Sequence, residues 1–330
     1  MNKLLPYCID ISSEFCPCLL AETNHCVFCS HLHGEINCNC NWTGSCIFYE
    51  KQWQDKNGST YKPVRQDAVG TVVGKKSIGN QTFLLEVEVS AEWAKELDKA
   101  GAYVFLKRSE DAAYASFPVG VMSVEGTIIS MVIESVGPKS ARVLADNITN
   151  LTVRGPYANG TFGQPWIDNT KDSKVLLISG GIGQPPAMPI ARRLVANGNS
   201  VTAILAPGKV GKCFIASWLE EMGCRVIQVP SMRLQGMPLL RELVDSTAER
   251  PALIVSAGPD DQHYGVITVM QAAGVNLPMA ATNNATMCCG EGICGSCEKI
   301  LHDNKKQDLC TCFHMKEAMS EKLHKPSKNT

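Results

Sequence analysis

Cysteine placement limits where this chain can build an ordinary apolar core. There are 16 cysteines in 330 residues: eight fall between Cys8 and Cys46, six between Cys288 and Cys312, and only Cys213 and Cys224 lie between. A stretch this rich in thiols and poor in aliphatic runs cannot bury enough apolar surface to fold alone, so bound metal would have to organise it. The first residues, MNKLLPYCID, lack the extended apolar core of a secretory signal. The expected compartment is therefore cytoplasmic, where dense cysteine clusters bind metal more often than they form disulfides.

The remaining sequence divides into zones. Residues 1–50 form a Cys-rich module, 51–67 a polar linker, and 316–330 a charged tail. Segment 68–165 carries short β-branched or alternating runs, among them Thr82–Val89, Ala102–Lys107 and Gly126–Ile133. Many short strands within about a hundred residues predict a small antiparallel barrel. Segment 172–281 changes rhythm. Short apolar runs at Val175–Ser179, Val201–Ala206, Arg225–Val229 and Leu253–Ala257 alternate with helix-length stretches, which predicts a doubly wound α/β domain. The C-terminal cysteine segment occupies 282–315. Lys and Arg number 31 against 32 Asp and Glu, so the net charge is −1 and no basic footprint for nucleic acid or membrane is present.

Four motifs carry chemistry. Cys289-x4-Cys294-x2-Cys297, with Cys310 or Cys312 beyond, has plant-type iron–sulfur spacing, and its glycines allow the sharp turns that wrap a cluster. A zinc knuckle is the alternative, but zinc sites usually pair two short C-x2-C units. Gly180-Gly181-Ile182-Gly183-Gln184-Pro185-Pro186 follows an expected strand and opens an expected helix, a context suited to a pyrophosphate. Arg154-Gly155-Pro156-Tyr157-Ala158-Asn159-Gly160 is a tight loop at the end of the barrel, and Ser256-Ala257-Gly258-Pro259 closes the last α/β strand. Taken alone, either of the last two is a plain turn.

In this order the motifs resemble the ferredoxin–NADP reductase superfamily, and more narrowly the electron-transfer subunits of dihydroorotate dehydrogenase and sulfide dehydrogenase-type proteins. The resemblance covers about residues 68–312. It implies a β-barrel that binds FAD, an α/β domain that binds NAD(P)H, and a 2Fe–2S cluster held by Cys289, Cys294, Cys297 and Cys310. Cys310 is favoured over Cys312 because Leu309 precedes it. The resemblance places the nicotinamide dinucleotide at Gly180, Gly181, Gly183 and Pro186, with Gly258 and Pro259 beside the nicotinamide. It places the FAD pyrophosphate at Gly137, Lys139 and Ser140. Gly155, Pro156, Asn159 and Gly160 belong to the matching barrel-end motif.

One stretch departs from the family. Its flavin motif, Arg-Pro-aliphatic-Ser, reads Phe117-Pro118-Val119-Gly120 here, which removes a charge-assisted phosphate contact and a hydroxyl. Lys107, Arg108 or Lys139 is then the expected source of the charge. In the N-terminal module, Cys8, Cys16, Cys18, Cys26, Cys29, Cys38, Cys40 and Cys46 suffice for two four-ligand sites, for zinc or for an additional iron–sulfur cluster. The functional expectation is an electron-transfer flavoprotein subunit working with a partner oxidoreductase or ferredoxin-like acceptor in a hetero-oligomer, with no membrane span. Its rival is a non-catalytic, zinc-stabilised interaction protein derived from a decayed reductase.

Overall fold

The computed structural model describes residues 66–288 and the backbone of two short strands at 298–300 and 306–308. The eight N-terminal cysteines, Cys289, Cys294, Cys297, Cys310 and Cys312 lie outside the described residues. The first half holds strands β1 (Gln66–Gly79), β2 (Thr82–Glu88), β3 (Tyr103–Arg108), β4 (Phe117–Glu125), β5 (Ile128–Glu134) and β6 (Asn150–Tyr157). Helices α1 (Ala91–Leu97) and α2 (Pro138–Val143) interrupt them. The strands close into an antiparallel barrel in the order β1-β2-β5-β4-β3-β6. Strand β1 makes closure possible by serving two neighbours: Gln66–Thr71 pairs with β6, and Thr71–Gly79 with β2. Two register shifts along the second pairing bend the strand, as bulges do where a sheet must curl.

Alternation explains the barrel interior. On β6, Leu151, Val153 and Tyr157 are buried, while their neighbours Thr152 and Arg154 are only partly covered. Helix α1 begins where Ser90 Oγ accepts from the Trp93 N–H (3.3 Å), satisfying an otherwise orphaned donor, and it buries Ala94 and Leu97. Strand β1 starts two residues before the expected segment start at 68 and runs unbroken to Gly79.

The second half holds β7 (Thr161–Phe162), α3 (Gln164–Asn169), β8 (Lys174–Gly180), α4 (Gln184–Ala196), β9 (Ser200–Ala206) and α5 (Ala216–Glu221). It continues with β10 (Arg225–Gln228), a π-helical turn at Met232–Gly236, α6 (Met237–Asp245), β11 (Leu253–Ala257), α7 (Asp260–Ala272) and β12 (Met279–Thr282). The sheet order is β10-β9-β8-β11-β12-β7, parallel except for the β12–β7 pair. Central strands read as unbroken apolar runs because helices cover both faces; Val175, Leu176, Leu177 and Ile178 of β8 are all buried. Strands β7 and β12 and helix α3 carry no hydrophobic period long enough to be expected from sequence. Strand β7 takes Thr161–Phe162, directly after the barrel-end loop, into the α/β sheet.

The two halves share apolar cores. Ala100, Met122 and Val132 of the barrel half pack in one cluster with Ile167 of α3 and Ala187, Met188 and Ala191 of α4. Tyr103, Phe105 and Tyr157 join Met279, Ala281 and Met287 in another, and Tyr103 stacks on Tyr157 with centroids 4.9 Å apart. Arg192 of α4 pairs with Asp98 at the end of α1 (2.8 Å). Strands β13 (Glu298–Ile300) and β14 (Lys306–Asp308) form a hairpin in which Glu298 faces Asp308. Leu177 lies in the sheet centre with 0% exposure. Leu177→Ala is expected to cost about 3 kcal/mol, from lost burial plus the cavity left behind, measured as a lower urea midpoint at unchanged slope.

Candidate functional site

The strand order reverses between β8 and β11, and crevices at such switch points bind ligands outside the carboxyl ends of the strands. Loops of little bulk meet there. Gly181, after β8, lies against Gly208, after β9; a Cβ on Gly208 would come within 2.6 Å of the Gly181 Cα. Gly183 lies against the Ala257–Gly258 turn after β11, and a Cβ there would enter the van der Waals shell of the Ala257 carbonyl oxygen. Alanine at 183 would therefore force the two loops apart. The turn leads into α4, whose early Pro185 and Pro186 suit the first helical turn, where N–H groups have no intrahelical acceptor. Gln184 holds the start of the helix by donating to the Lys212 carbonyl (3.0 Å) and accepting from the Ile215 N–H (3.4 Å).

These loops form one wall of a cleft of about 650 Å³, within the range of small-molecule and cofactor sites. The other wall comes from the barrel: Phe117–Val121 of β4, Val132–Glu134 of β5 and the Gly137–Ser140 turn at the start of α2. Of the expected site residues, Gly137, Lys139, Ser140, Gly160, Gly183, Pro186 and Gly258 line this cleft. The others lie outside its lining. Gly180 and Gly181 underlie the turn, Pro259 leads into α7, and Gly155–Pro156 is a cis peptide within β6. Asn159 is buried, and its Oδ1 accepts from the Tyr103 hydroxyl (2.8 Å).

The altered flavin stretch keeps its place in the wall. A Cβ at Gly120 would meet nothing within 4 Å, and the same holds at Gly137, so the barrel wall is open at both positions. Among the three candidate cations, Lys139 lines the cleft, where its ammonium donates to the Ser116 carbonyl (3.0 Å). Arg108 is committed elsewhere. Its guanidinium grips Asp111 through two bonds (2.9 and 3.2 Å) and pairs with Glu110 (3.3 Å). The bond from Arg108 holds the Asp111 carboxyl below the usual carboxylate range, with Arg142 adding to the effect. Lys107 donates to the Asp111 carbonyl (3.0 Å) and lies outside the lining.

Sequence reasoning missed the group behind the α/β wall. His263 of α7 is 1% exposed. Its Nε2 lies 3.1 Å from the Thr282 carbonyl oxygen, which can only accept, so Nε2 carries the proton. Its Nδ1 then accepts from the Ser256 hydroxyl (2.7 Å). Gln262 Nε2 donates toward Ile178 O, Ser256 Oγ and Ala257 O, each at 3.2 Å. Thr282 Oγ1 accepts from the Gly258 N–H (3.0 Å), and both residues line the cleft. No spacing announces this network, because it joins positions that only the sheet order brings together.

Burial pushes the His263 pKa down to about 4 from the ordinary 6.5, against opposing contributions from the Thr282 carbonyl and Asp260. Among the described residues, no cluster of three or more His, Cys, Asp or Glu side chains is arranged to hold a metal ion. No helix there is long and apolar enough to cross a membrane.

A closed antiparallel barrel, a doubly wound sheet and a cleft between them make a ferredoxin reductase-like fold. The comparisons agree. The fold matches the structure reported for an NADH-dependent reduced ferredoxin–NADP oxidoreductase with a TM-score of 0.60 and 21% identity, over 78% of this chain and 92% of that one. It matches a cytochrome P450 reductase from Amycolatopsis with a TM-score of 0.51 and 18% identity, over 65% and 69%. In sequence, the chain is 23% identical over 249 residues to the electron transfer subunit of dihydroorotate dehydrogenase B (NAD(+)) from Shouchella clausii, covering 73% of this chain and 92% of that relative. It is 28% identical over 162 residues to the probable counterpart from Methanocaldococcus jannaschii, covering 48% and 58%. No protein-family model matches the chain.

The depressed His263 pKa has a measurable consequence. Between pH 6.5 and about 4 the unfolded chain binds a proton at this site that the folded chain refuses, so stability falls as the pH is lowered through that window. The loss completed through that window is of order 3 kcal/mol. Thermal melts of His263→Gln should show a shallower acid slope than the parent over the same window.

Proposed function

We propose that the chain is an electron-transfer flavoprotein subunit that takes electrons from NAD(P)H and passes them, through FAD and a 2Fe–2S cluster, to a partner oxidoreductase or ferredoxin-like acceptor. The observation that carries this reading is the cleft, which faces the Gly137–Ser140 turn of the barrel toward the Gly183–Pro186 turn of the sheet. A flavin and a nicotinamide held at those turns would meet across it. The named relatives support the reading, being electron transfer subunits of a dehydrogenase.

The residues present fit FAD. The barrel wall is open at Gly120 and Gly137, and the Lys139 ammonium sits on the carbonyl of Ser116, the residue before Phe117, where the family carries arginine. A lysine can balance phosphate charge as a point cation, without arginine's two-pronged geometry. When bound, FAD accepts two electrons together and releases them singly, while a 2Fe–2S cluster takes one. The chain's own work is to seat both groups, exclude water and hold the approach distance. Gly183 keeps the dinucleotide loop close to Gly258, and Gly258 and Thr282 share the cleft lining with Val119 and Gly120.

The cluster assignment, Cys289, Cys294, Cys297 and Cys310, rests on spacing and on resemblance. The N-terminal cysteines are proposed to hold zinc or a further cluster. Two complete, facing walls favour a working reductase over a decayed scaffold.

Protein purified without air should contain FAD, with iron and acid-labile sulfide each at about two per chain for one exit cluster. Zinc alongside would assign the N-terminal module a structural role; zinc with neither flavin nor iron would reject the reading. Lys139→Gln should weaken FAD binding roughly tenfold, the scale of one charged hydrogen bond, as read by flavin fluorescence titration of the apoprotein. Cys289→Ser should erase the cluster's visible and paramagnetic signals while NAD(P)H binding persists.

A further inference from the structure

The two walls of the cleft are tied together at the end of β12. Toward the barrel, Thr282 pairs with Thr161 of β7, the Asn283 N–H donates to the Gly160 carbonyl (2.8 Å), and the Gly160 N–H donates to the Gly101 carbonyl (2.8 Å). Toward the α/β domain, the same strand end is held by the Gly258 N–H on Thr282 Oγ1 (3.0 Å) and by His263 Nε2 on the Thr282 carbonyl (3.1 Å). His263 is anchored in turn by Ser256 at the end of β11 (2.7 Å). Gly101, Gly160, Gly258 and Thr282 all line the cleft; His263 and Ser256 do not. The imidazole therefore cannot touch a ligand there and acts only through what it holds.

We propose that His263 is a positioning residue: by donating from Nε2 to the Thr282 carbonyl, it sets the gap between the Gly258–Thr282 wall and the Val119–Gly120 wall, and so the distance between nicotinamide and flavin. This rests on the function proposed above. Three observations carry it. The ring is buried with both nitrogens engaged. Its donor reaches a strand end that bonds to both halves. Its other partner, Ser256, lies at the switch point of the sheet. Donor–acceptor distance is a steep variable in group transfer, and a displacement of about 1 Å can cost a hundredfold.

The test compares three substitutions in the full chain. Gln can keep the donor to the Thr282 carbonyl, Asn can keep only the acceptor for Ser256, and Phe keeps the ring shape with neither bond. The readouts are flavin reduction by NAD(P)H in stopped flow, the Kd of NAD(P)H, and amide exchange at Gly258 and Asn283. His263→Phe and His263→Asn should slow flavin reduction roughly tenfold or more, at unchanged Kd for NAD(P)H, with faster exchange at both amides. His263→Gln should restore most of the rate and of the protection. Parent-like reduction and exchange in the Phe variant would overturn the proposal, because shape alone would then suffice; so would equal loss in the Gln and Asn variants. A parent chain that binds neither FAD nor NAD(P)H would instead defeat the proposed function, while the exchange comparison would still decide whether His263 holds the strand end.

Discussion

The structure depends on an apolar seam, made of two clusters, between two halves with unrelated architectures. A barrel interior and a doubly wound sheet each bury their own side chains, yet Met122 and Val132 of the barrel share a cluster with Ala187, Met188 and Ala191 of α4. The small residues on that helix let it approach β4 closely, and burial of the larger ones favours a single arrangement over loose tethering. The seam lies directly behind the cleft. The wall carrying Gly120 and the turn carrying Gly183 and Pro186 belong to the elements that meet there, β4 and α4.

Within the cleft, missing side chains matter as much as present ones. Gly181 against Gly208 and Gly183 against Ala257–Gly258 let three strand-end loops converge without filling the space above them. On the barrel side, the openings at Gly120 and Gly137 do the same. Charge is sparse: Glu134 and Lys139 are the charged residues of the lining. Such a site suits ligands that bring their own reactive groups and ask the protein for shape, a few hydrogen bonds and exclusion of water. Arg108 shows how the same region keeps another cation out of play, by matching it to Asp111 and Glu110.

The polar network behind the α/β wall has a different character. His263, Gln262, Ser256 and Thr282 are buried, and each makes a side-chain hydrogen bond within the network. Satisfied buried networks are costly to disturb, because any lost partner leaves a desolvated group behind. Burial keeps the imidazole neutral, and neutrality lets one nitrogen donate while the other accepts. Orientation of the strand end and the depressed pKa thus share one cause.

Sequence alone determined the architecture of the two halves. The change from crowded short strands to alternating strands and helices is written in local hydrophobic rhythm, and Gly180–Gly183 announces a strand-to-helix turn because backbone close approach needs glycine. The barrel-end motif, the Gly137–Ser140 turn and the Gly258–Pro259 turn were legible as candidates. Tertiary structure decided which of them share a cleft: Gly160 and Gly183 line it, while Asn159 turns its Oδ1 to the Tyr103 hydroxyl. It separated Lys139 from Lys107 and Arg108, since partners and direction cannot be read from spacing. It also disclosed β7, β12 and the His263 network, which local signals could not reveal. Two-residue and four-residue strands have no period to detect, and a hydrogen bond between residues 263 and 282 exists only because the sheet places α7 beside the end of β12.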